Sequence, residues 1–252
     1  MILPPSNMAN KIIPVTGANR GIGFSIVQAL SQRASNVTLI VAARAYAKAQ
    51  DAVDQLRSQG VPIPLQPLEL DVSQDDSVLR AVNLVEEKYG RLDVLINNAG
   101  VAPTSPSTDI ANFRASWATV LDTNVTSIAL VATLFLPLLR ASDDPKVLNV
   151  SSARGSLALV TSGANPPTDK IAYSVSKAAL NLLTIEMSHS LPELEWQVVS
   201  PGWCKTAFNG FRGPKDPLQG AQVLVELALA AKGQYENGFW QFEDGTMEKV
   251  PW

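Results

Sequence analysis

Seven short apolar runs, KIIPV, NVTLIVAA, IPLQPLEL, LDVLI, KVLNV, WQVVS and GFWQF, recur along the chain. Between them lie longer segments of helical character at 21–33, 45–59, 75–89, 112–140, 174–190 and 217–232. Strand-length runs that alternate with helices are joined by crossovers, and crossovers place successive strands parallel with helices on both faces of the sheet. The alternation therefore predicts an α/β chain built on a mostly parallel, seven-stranded sheet. In two helical segments apolar residues recur every three or four positions, Val78, Ala81, Val82, Val85 and Ala178, Leu182, Ile185, Met187, which reads as two core-facing stripes. Pro14 is out of place: it stands in the first strand, where it removes a ladder donor.

At 252 residues, with 46% apolar and 17% charged residues, the chain is sized for one domain spanning 1–252, with residues 1–10 as an N-terminal tail. A formal charge of -3 supplies no basic excess, which argues against nucleic acid as a partner. The single cysteine, Cys204, can form neither an internal disulfide nor a structural zinc site, so no metal is expected and a reducing, cytoplasmic setting is. The prolines of MILPPSNMANK sit where a signal peptide needs its apolar core. The apolar stretch from Ile128 to Leu139 is broken by Thr133 and Pro137 and falls short of the roughly 20 residues that span a bilayer. No membrane partner is expected. The Gly/Pro/Asn-rich stretches at 101–108, 161–170 and 209–217 read as loops.

The stretch TGANRGIG follows the first predicted strand and opens the first predicted helix. Unpaired N–H groups and the positive end of the helix dipole meet there, which suits a pyrophosphate. Gly17 allows the turn, Gly21 lets the backbone approach the anion, and Gly23 lets the helix pack closely, with Asn19, Arg20 and Ile22 completing the loop. A dinucleotide-binding, Rossmann-type fold follows from this context. Where an acidic residue would meet the ribose 2'-hydroxyl, the chain reads VAARAYAK. Arg44, with Arg20 in the glycine turn, instead offers guanidinium groups to a 2'-phosphate, which favours NADP(H).

In YSVSK, Tyr173 and Lys177 stand four apart on one helix face, and a lysine ammonium beside a phenol is expected to lower the phenol pKa from about 10. TGANRGIG, Asp71-Val72, NNAG at 97–100, Asn124, Ser151-Ser152, YSVSK and PGWCKT arrive in an order that resembles the short-chain dehydrogenase/reductase superfamily, in its compact one-domain, carbonyl-reductase-like branch. The resemblance implies roles residue by residue. Tyr173 would be the general acid, Lys177 would hold the nicotinamide ribose and tune the tyrosine, and Asn124 would hold a water of the proton relay. Ser152 would bond the substrate oxygen, with Ser151 as the neighbouring alternative. For the cofactor, Asp71 would meet the adenine with the Val72 backbone beside it, and Asn97, Ala99 and Gly100 would flank the adenosine ribose. Pro201, Gly202 and the Cys204 backbone would line the nicotinamide, and Thr206 would reach its carboxamide. The family also implies a small carbonyl substrate and a homodimer or homotetramer, with a monomer left open.

Two features depart from the family pattern. Ser152 and Tyr173 are 21 residues apart, longer than that pattern, so 153–172 reads as an enlarged active-site loop forming a wall of the substrate pocket. Segment 203–217 is where the family places a substrate-covering piece, and its Trp203, Phe208 and Phe211 suggest an apolar or aromatic substrate, ordinary core packing being the alternative. The expected activity is NADPH-dependent reduction of an aldehyde, ketone or imine. A cofactor sensor without turnover, or a biosynthetic enzyme using the site for a non-redox step, are the rival readings.

Overall fold

The computed structural model describes residues 10–102 and 110–252. The N-terminal tail up to residue 9 and most of the 101–108 loop lie outside the described residues. The strands are β1 (Lys11–Val15), β2 (Val37–Ala43), β3 (Leu65–Glu69), β4 (Val94–Asn97), β5 (Lys146–Val150), β6 (Glu195–Ser200), β7 (Gly238–Glu243) and β8 (Thr246–Lys249). Their order in the sheet is β3-β2-β1-β4-β5-β6-β7-β8, all neighbours being parallel except β7 and β8. The chain winds outward from β1 to β3, then returns to β4 beside β1 and winds the other way. The reversal leaves a crevice at the carboxyl ends of β1 and β4, where such sheets bind ligands.

The sheet has one strand more than the seven expected. Asp244 and Gly245 both take positive φ, 48° and 83°, closing a two-residue turn of the kind Asp-Gly pairs favour, and β8 runs back along β7. Its sequence, TMEK, is mostly exposed, so it carries no apolar run to announce it.

Helices α1 (Gly21–Arg33), α2 (Tyr46–Ser58) and α8 (Pro217–Leu229) pack on one face of the sheet. On the other lie α3 (Asp75–Tyr89), α4 (Ile110–Leu121), α5 (Ser127–Arg140) and α7 (Ile171–Ser190), with a short α6 (Leu157–Thr161) beyond β5. Alternate strand residues feed the two cores: Ile13, Leu39 and Val41 point to the first, Ile12, Ile40 and Ala42 to the second. Burial on both faces is why these strands read as continuous apolar runs.

Pro14 is absorbed without losing the strand. The Ile12 and Thr16 N–H groups point toward β4, so by alternation the donor missing at Pro14 would also have faced β4. The β1–β4 register is thinned to Val15 opposite Ile96, and the Asp93 carboxylate supplies an extra acceptor, taking the Ile12 N–H at 2.7 Å.

Residues Asn112–Arg140 form one continuous helix that is, by length and composition, apolar enough to cross a membrane, in contrast to the broken apolar stretch within it. Its buried side chains, including Val131, Phe135, Leu138 and Leu139, join the second core. At Asp122–Thr126 the ladder widens into a π-helical turn between α4 and α5. Such bulges are frequent at functional sites.

The α3 stripe faces the core through Val78, Ala81 and Val85, whereas of the α7 stripe only Met187 packs on the core. Helix α7 buries Ser176, Lys177, Leu180, Asn181 and Thr184 and leaves Leu182 58% exposed, with Val175 and Ile171 also outside. The polar face turns inward because each of its polar groups finds a partner there. Ser176 meets Asn124, Lys177 meets the Val150 carbonyl, Asn181 meets Ser151 and Gly155, and Thr184 meets Asn149.

Candidate active site

The glycine turn leaves β1 at its carboxyl end. Gly17 and Gly21 take φ of 64° and 58°, a region in which side chains are strained. A Cβ on Gly23 would lie 2.5 Å from both the Gly17 carbonyl oxygen and the Asn98 amide nitrogen, so only glycine lets α1 start this close to the turn. Helix α1 has no side-chain cap, which leaves its first N–H groups directed at whatever enters the crevice. Thr206 is buried on the far side, and a Cβ on Gly21 would stop 3.7 Å from the Thr206 Cβ. These donors, without a carboxylate among them, fit a pyrophosphate. Arg20 and Arg44 are exposed, and neither makes a hydrogen bond or ion pair among the described residues.

The NNAG turn after β4 is tied to the glycine turn by two residues that motif reading passed over. The Thr16 hydroxyl accepts from the Asn98 and Ala99 N–H groups, each at 2.9 Å, and the Asn98 side-chain amide donates to the Thr16 carbonyl at 2.8 Å. The Asn97 side chain faces the interior and donates to Asn149 at 2.9 Å, so anything it presents to the adenosine ribose comes from its backbone. Asp71 accepts from both the N–H and the hydroxyl of Ser73 through one carboxylate oxygen, and Val72 is buried beside it.

Asn124 sits fully buried in the π-helical turn with its side chain committed. Its amide donates to the Val101 carbonyl at 2.9 Å and the Ser176 hydroxyl at 3.0 Å, and its oxygen accepts the Val101 N–H at 2.8 Å. The expected water would therefore have to use its backbone. Gly100 brings this turn close: a Cβ there would be 3.2 Å from Asn124 Oδ1 and 3.8 Å from Lys177 Nζ.

The two serines after β5 separate cleanly. Ser151 is buried and donates to Asn181 at 2.6 Å, a structural bond between β5 and α7. Ser152 is part-exposed, caps the turn Ala153–Gly155 by accepting the Arg154 N–H at 3.2 Å, and its hydroxyl exerts a downward pull on the Tyr173 phenol that burial outweighs. The site serine is Ser152. Gly155 lets this turn rest on α7, since a Cβ there would be 2.6 Å from the Lys177 carbonyl carbon.

Lys177 donates to the Val150 carbonyl at 2.8 Å, and its Nζ lies 5.6 Å from the centre of the Tyr173 ring. The pair is electrostatically unlike the expectation. Burial pushes the Tyr173 phenol up to about 12, against smaller downward pulls from the Ser152 hydrogen bond and the Arg154 charge. Burial also brings the Lys177 ammonium down to about 7. Desolvation penalises both charged forms at once, so it outweighs the attraction between them.

The enlarged loop is largely ordered. Ser156 caps α6 by accepting the Leu159 N–H at 3.1 Å, and Leu159 packs on Val198, Phe239 and Val250. The Ala158 N–H donates to the Trp252 carbonyl at 2.9 Å, and Asn165 donates to the Ala153 carbonyl at 2.7 Å. In segment 203–217, Trp203, Phe208 and Phe211 are 62%, 50% and 60% exposed, which excludes core packing for all three. Phe208 leans edge-on against Tyr173. Pro201 and Cys204 are buried, and Gly202 turns with φ 83°. The Cys204 thiol donates to the Pro201 carbonyl at 3.3 Å and is pushed up to about 11 by burial, a packing group and not a nucleophile. Among the described residues no cluster of three metal-ligating side chains occurs.

Comparison with known proteins identifies the family. Residues 11–216 fit the family model described as short chain dehydrogenase. A short-chain dehydrogenase/reductase of Aspergillus fumigatus is 38% identical, covering 98% of this chain and 99% of that protein. The short-chain dehydrogenase anuI of Penicillium roqueforti is 36% identical, covering 96% and 97%. Among solved structures, the NADPH-bound carbonyl reductase from chicken fatty liver aligns with a TM-score of 0.74 at 27% identity over 92% of this chain and 95% of that one. The chain belongs to the short-chain dehydrogenase/reductase family of nicotinamide-dependent oxidoreductases.

Proposed function

We propose that the protein reduces the carbonyl group of a small apolar or aromatic molecule with NADPH. The observation that carries this reading is the grouping of Ser152 and Lys177 about the Tyr173 phenol, with Phe208 edge-on to the tyrosine ring. When bound, a reduced nicotinamide supplies the hydride that forms the new C–H bond and leaves the carbonyl π pair on oxygen. The Ser152 hydroxyl donates to that oxygen as charge gathers on it. Tyr173, held protonated with a pKa of about 12, then gives up its O–H proton to an alkoxide, which is more basic still. The phenolate left behind is stabilised by Lys177 beneath its ring and is reprotonated from solvent.

Preference for NADPH rests on Arg44 directly after β2, on Ala43 where an acid would repel a 2'-phosphate, and on Arg20 within the glycine turn. Likeness to a carbonyl reductase seen with NADPH bound points the same way. The exposed Ile171, Val175 and Leu182 of α7 suit self-association into a homodimer or homotetramer. The test is NADPH consumption by the purified protein against aromatic and aliphatic aldehydes, ketones and cyclic imines. Tyr173→Phe is expected to cut turnover by about 10²–10⁴-fold with NADPH binding retained. Tight NADPH binding with no turnover on any class would favour a sensor.

A further inference from the structure

The buried and part-buried cations away from the site have acidic partners: Lys146 pairs with Glu195 at 3.1 Å, Lys215 with Glu243 at 2.8 Å, and Lys11 with Asp144 at 3.2 Å. Arg154 does not. It is part-buried two residues past Ser152, and among the described residues no carboxylate pairs with it. Its backbone is fixed by the bond from its N–H to the Ser152 hydroxyl, and one guanidinium nitrogen, Nη1, donates to the Pro166 carbonyl of the enlarged loop. The other guanidinium nitrogens make no hydrogen bond to the described residues. Lys170, three residues before Tyr173, is a second part-buried cation that pairs with no carboxylate among the described residues, its Nζ donating there only to the Ala102 carbonyl at 3.5 Å.

A planar guanidinium fork held at one nitrogen, with its remaining N–H donors free, is shaped for an oxygen anion. The charge also reaches the reacting group, since Arg154 draws the Tyr173 phenol downward. We propose that Arg154 forms an anion subsite beside Tyr173. It takes an acidic oxygen, a carboxylate or an ionised enol, borne by the same molecule whose carbonyl faces Tyr173 and Ser152. The proposal deepens the carbonyl-reductase reading and rests on it for the placement of the carbonyl. Arg154 is a specificity residue: Tyr173 and Ser152 handle the carbonyl, and Arg154 selects which carbonyl compounds stay.

The experiment uses calorimetric titration with oxidised NADP present, so that binding is read without turnover. One arm compares 4-acetylbenzoate with its methyl ester. The other compares 5,5-dimethylcyclohexane-1,3-dione, an acidic enol, with 2,2-dimethylcyclohexane-1,3-dione, which cannot ionise. Wild type is expected to bind the anionic member of at least one pair about tenfold or more tightly than the neutral member, and Arg154→Gln to narrow that gap to under about threefold. Arg154→Lys should keep an intermediate gap, and added salt should shrink the wild-type gap. If Arg154→Gln does not fold, the lysine variant and the salt dependence decide. Which arm carries the gap identifies the acidic group. No gap in either arm for wild type, or a gap that survives Arg154→Gln and high salt, overturns the subsite. Because the titrations need no hydride transfer, anion-selective binding without NADPH turnover would count against the reductase alone, and turnover without anion selectivity would count against the subsite alone.

Discussion

Phe208 lies edge-on to Tyr173, with ring centroids 5.7 Å apart and planes at 61°. It is half exposed, so its contact with solvent-facing pocket space outweighs its share in the core. Aromatic pairs of this kind contribute about 0.5–1.5 kcal/mol, and Phe208→Ala should cost no more than that in stability. Its effect should fall on substrate: KM for an aromatic ketone is expected to rise about tenfold as a buried ring face is lost, with kcat changed less. Steady-state kinetics beside urea unfolding separates the two. An equal loss in kcat and stability would mean that the ring holds the segment and not the substrate.

Asn124 binds both the N–H and the carbonyl of Val101 and also Ser176. Asn124→Ala leaves those groups buried without partners, and about 2–3 kcal/mol of destabilisation is expected. Hydrogen exchange at the Val101 amide should accelerate in the variant relative to amides in β2. Unchanged protection there would show that the clamp does not hold in solution.

Lys177 gives a pH signature. Its ordinary value of 10.5 falls to about 7 in the folded chain, so below pH 7 it is charged in both states and its burial penalty is fully present. Between 7 and 10.5 only the unfolded chain holds the extra proton, and folded stability rises with pH. Tyr173 acts in the opposite sense at higher pH, because its phenol, raised to about 12, stays protonated when the unfolded one has ionised. Urea unfolding of wild type and Lys177→Met at about pH 6 and about pH 9 isolates the lysine, and the stability difference between them should shift toward wild type as pH rises. A difference independent of pH would mean that Lys177 titrates normally.

Arg44 follows β2 with no partner among the described residues. Arg44→Asp replaces an attraction for a 2'-phosphate by a repulsion, and NADPH affinity should fall about 10- to 100-fold while NADH is weakened little. Fluorescence titration of both cofactors checks this. Equal losses would remove Arg44 from cofactor choice.

The sheet was legible because strands buried on both faces must be apolar throughout. The glycine turn was legible because Gly17, Gly21 and Gly23, set between a strand and a helix, strip side chains from the one place where backbone N–H groups converge. The less visible parts depend on partners far away in sequence. Periodicity placed Leu182 inside, yet α7 is turned by Asn124, Val150, Asn149 and Ser151, which no local window contains. Strand β8 is a polar edge whose only signal was the Asp-Gly turn, and α6 announced itself only through Ser156 as a cap. The tyrosine–lysine pair was found by spacing, but spacing does not report burial, and burial sets the direction in which both groups titrate.

The inward polar face of α7 also bears on what holds the helix in place. Ser176, Lys177, Asn181 and Thr184 each require a partner from another element before the helix can leave water. Docking α7 without β5 and the π-helical turn in place would strand those groups, so the inward polar face of α7 is satisfied only when those elements are formed. The side of α7 that carries Lys177 is thereby held by β5 and the π-helical turn rather than by the helix's own apolar residues alone.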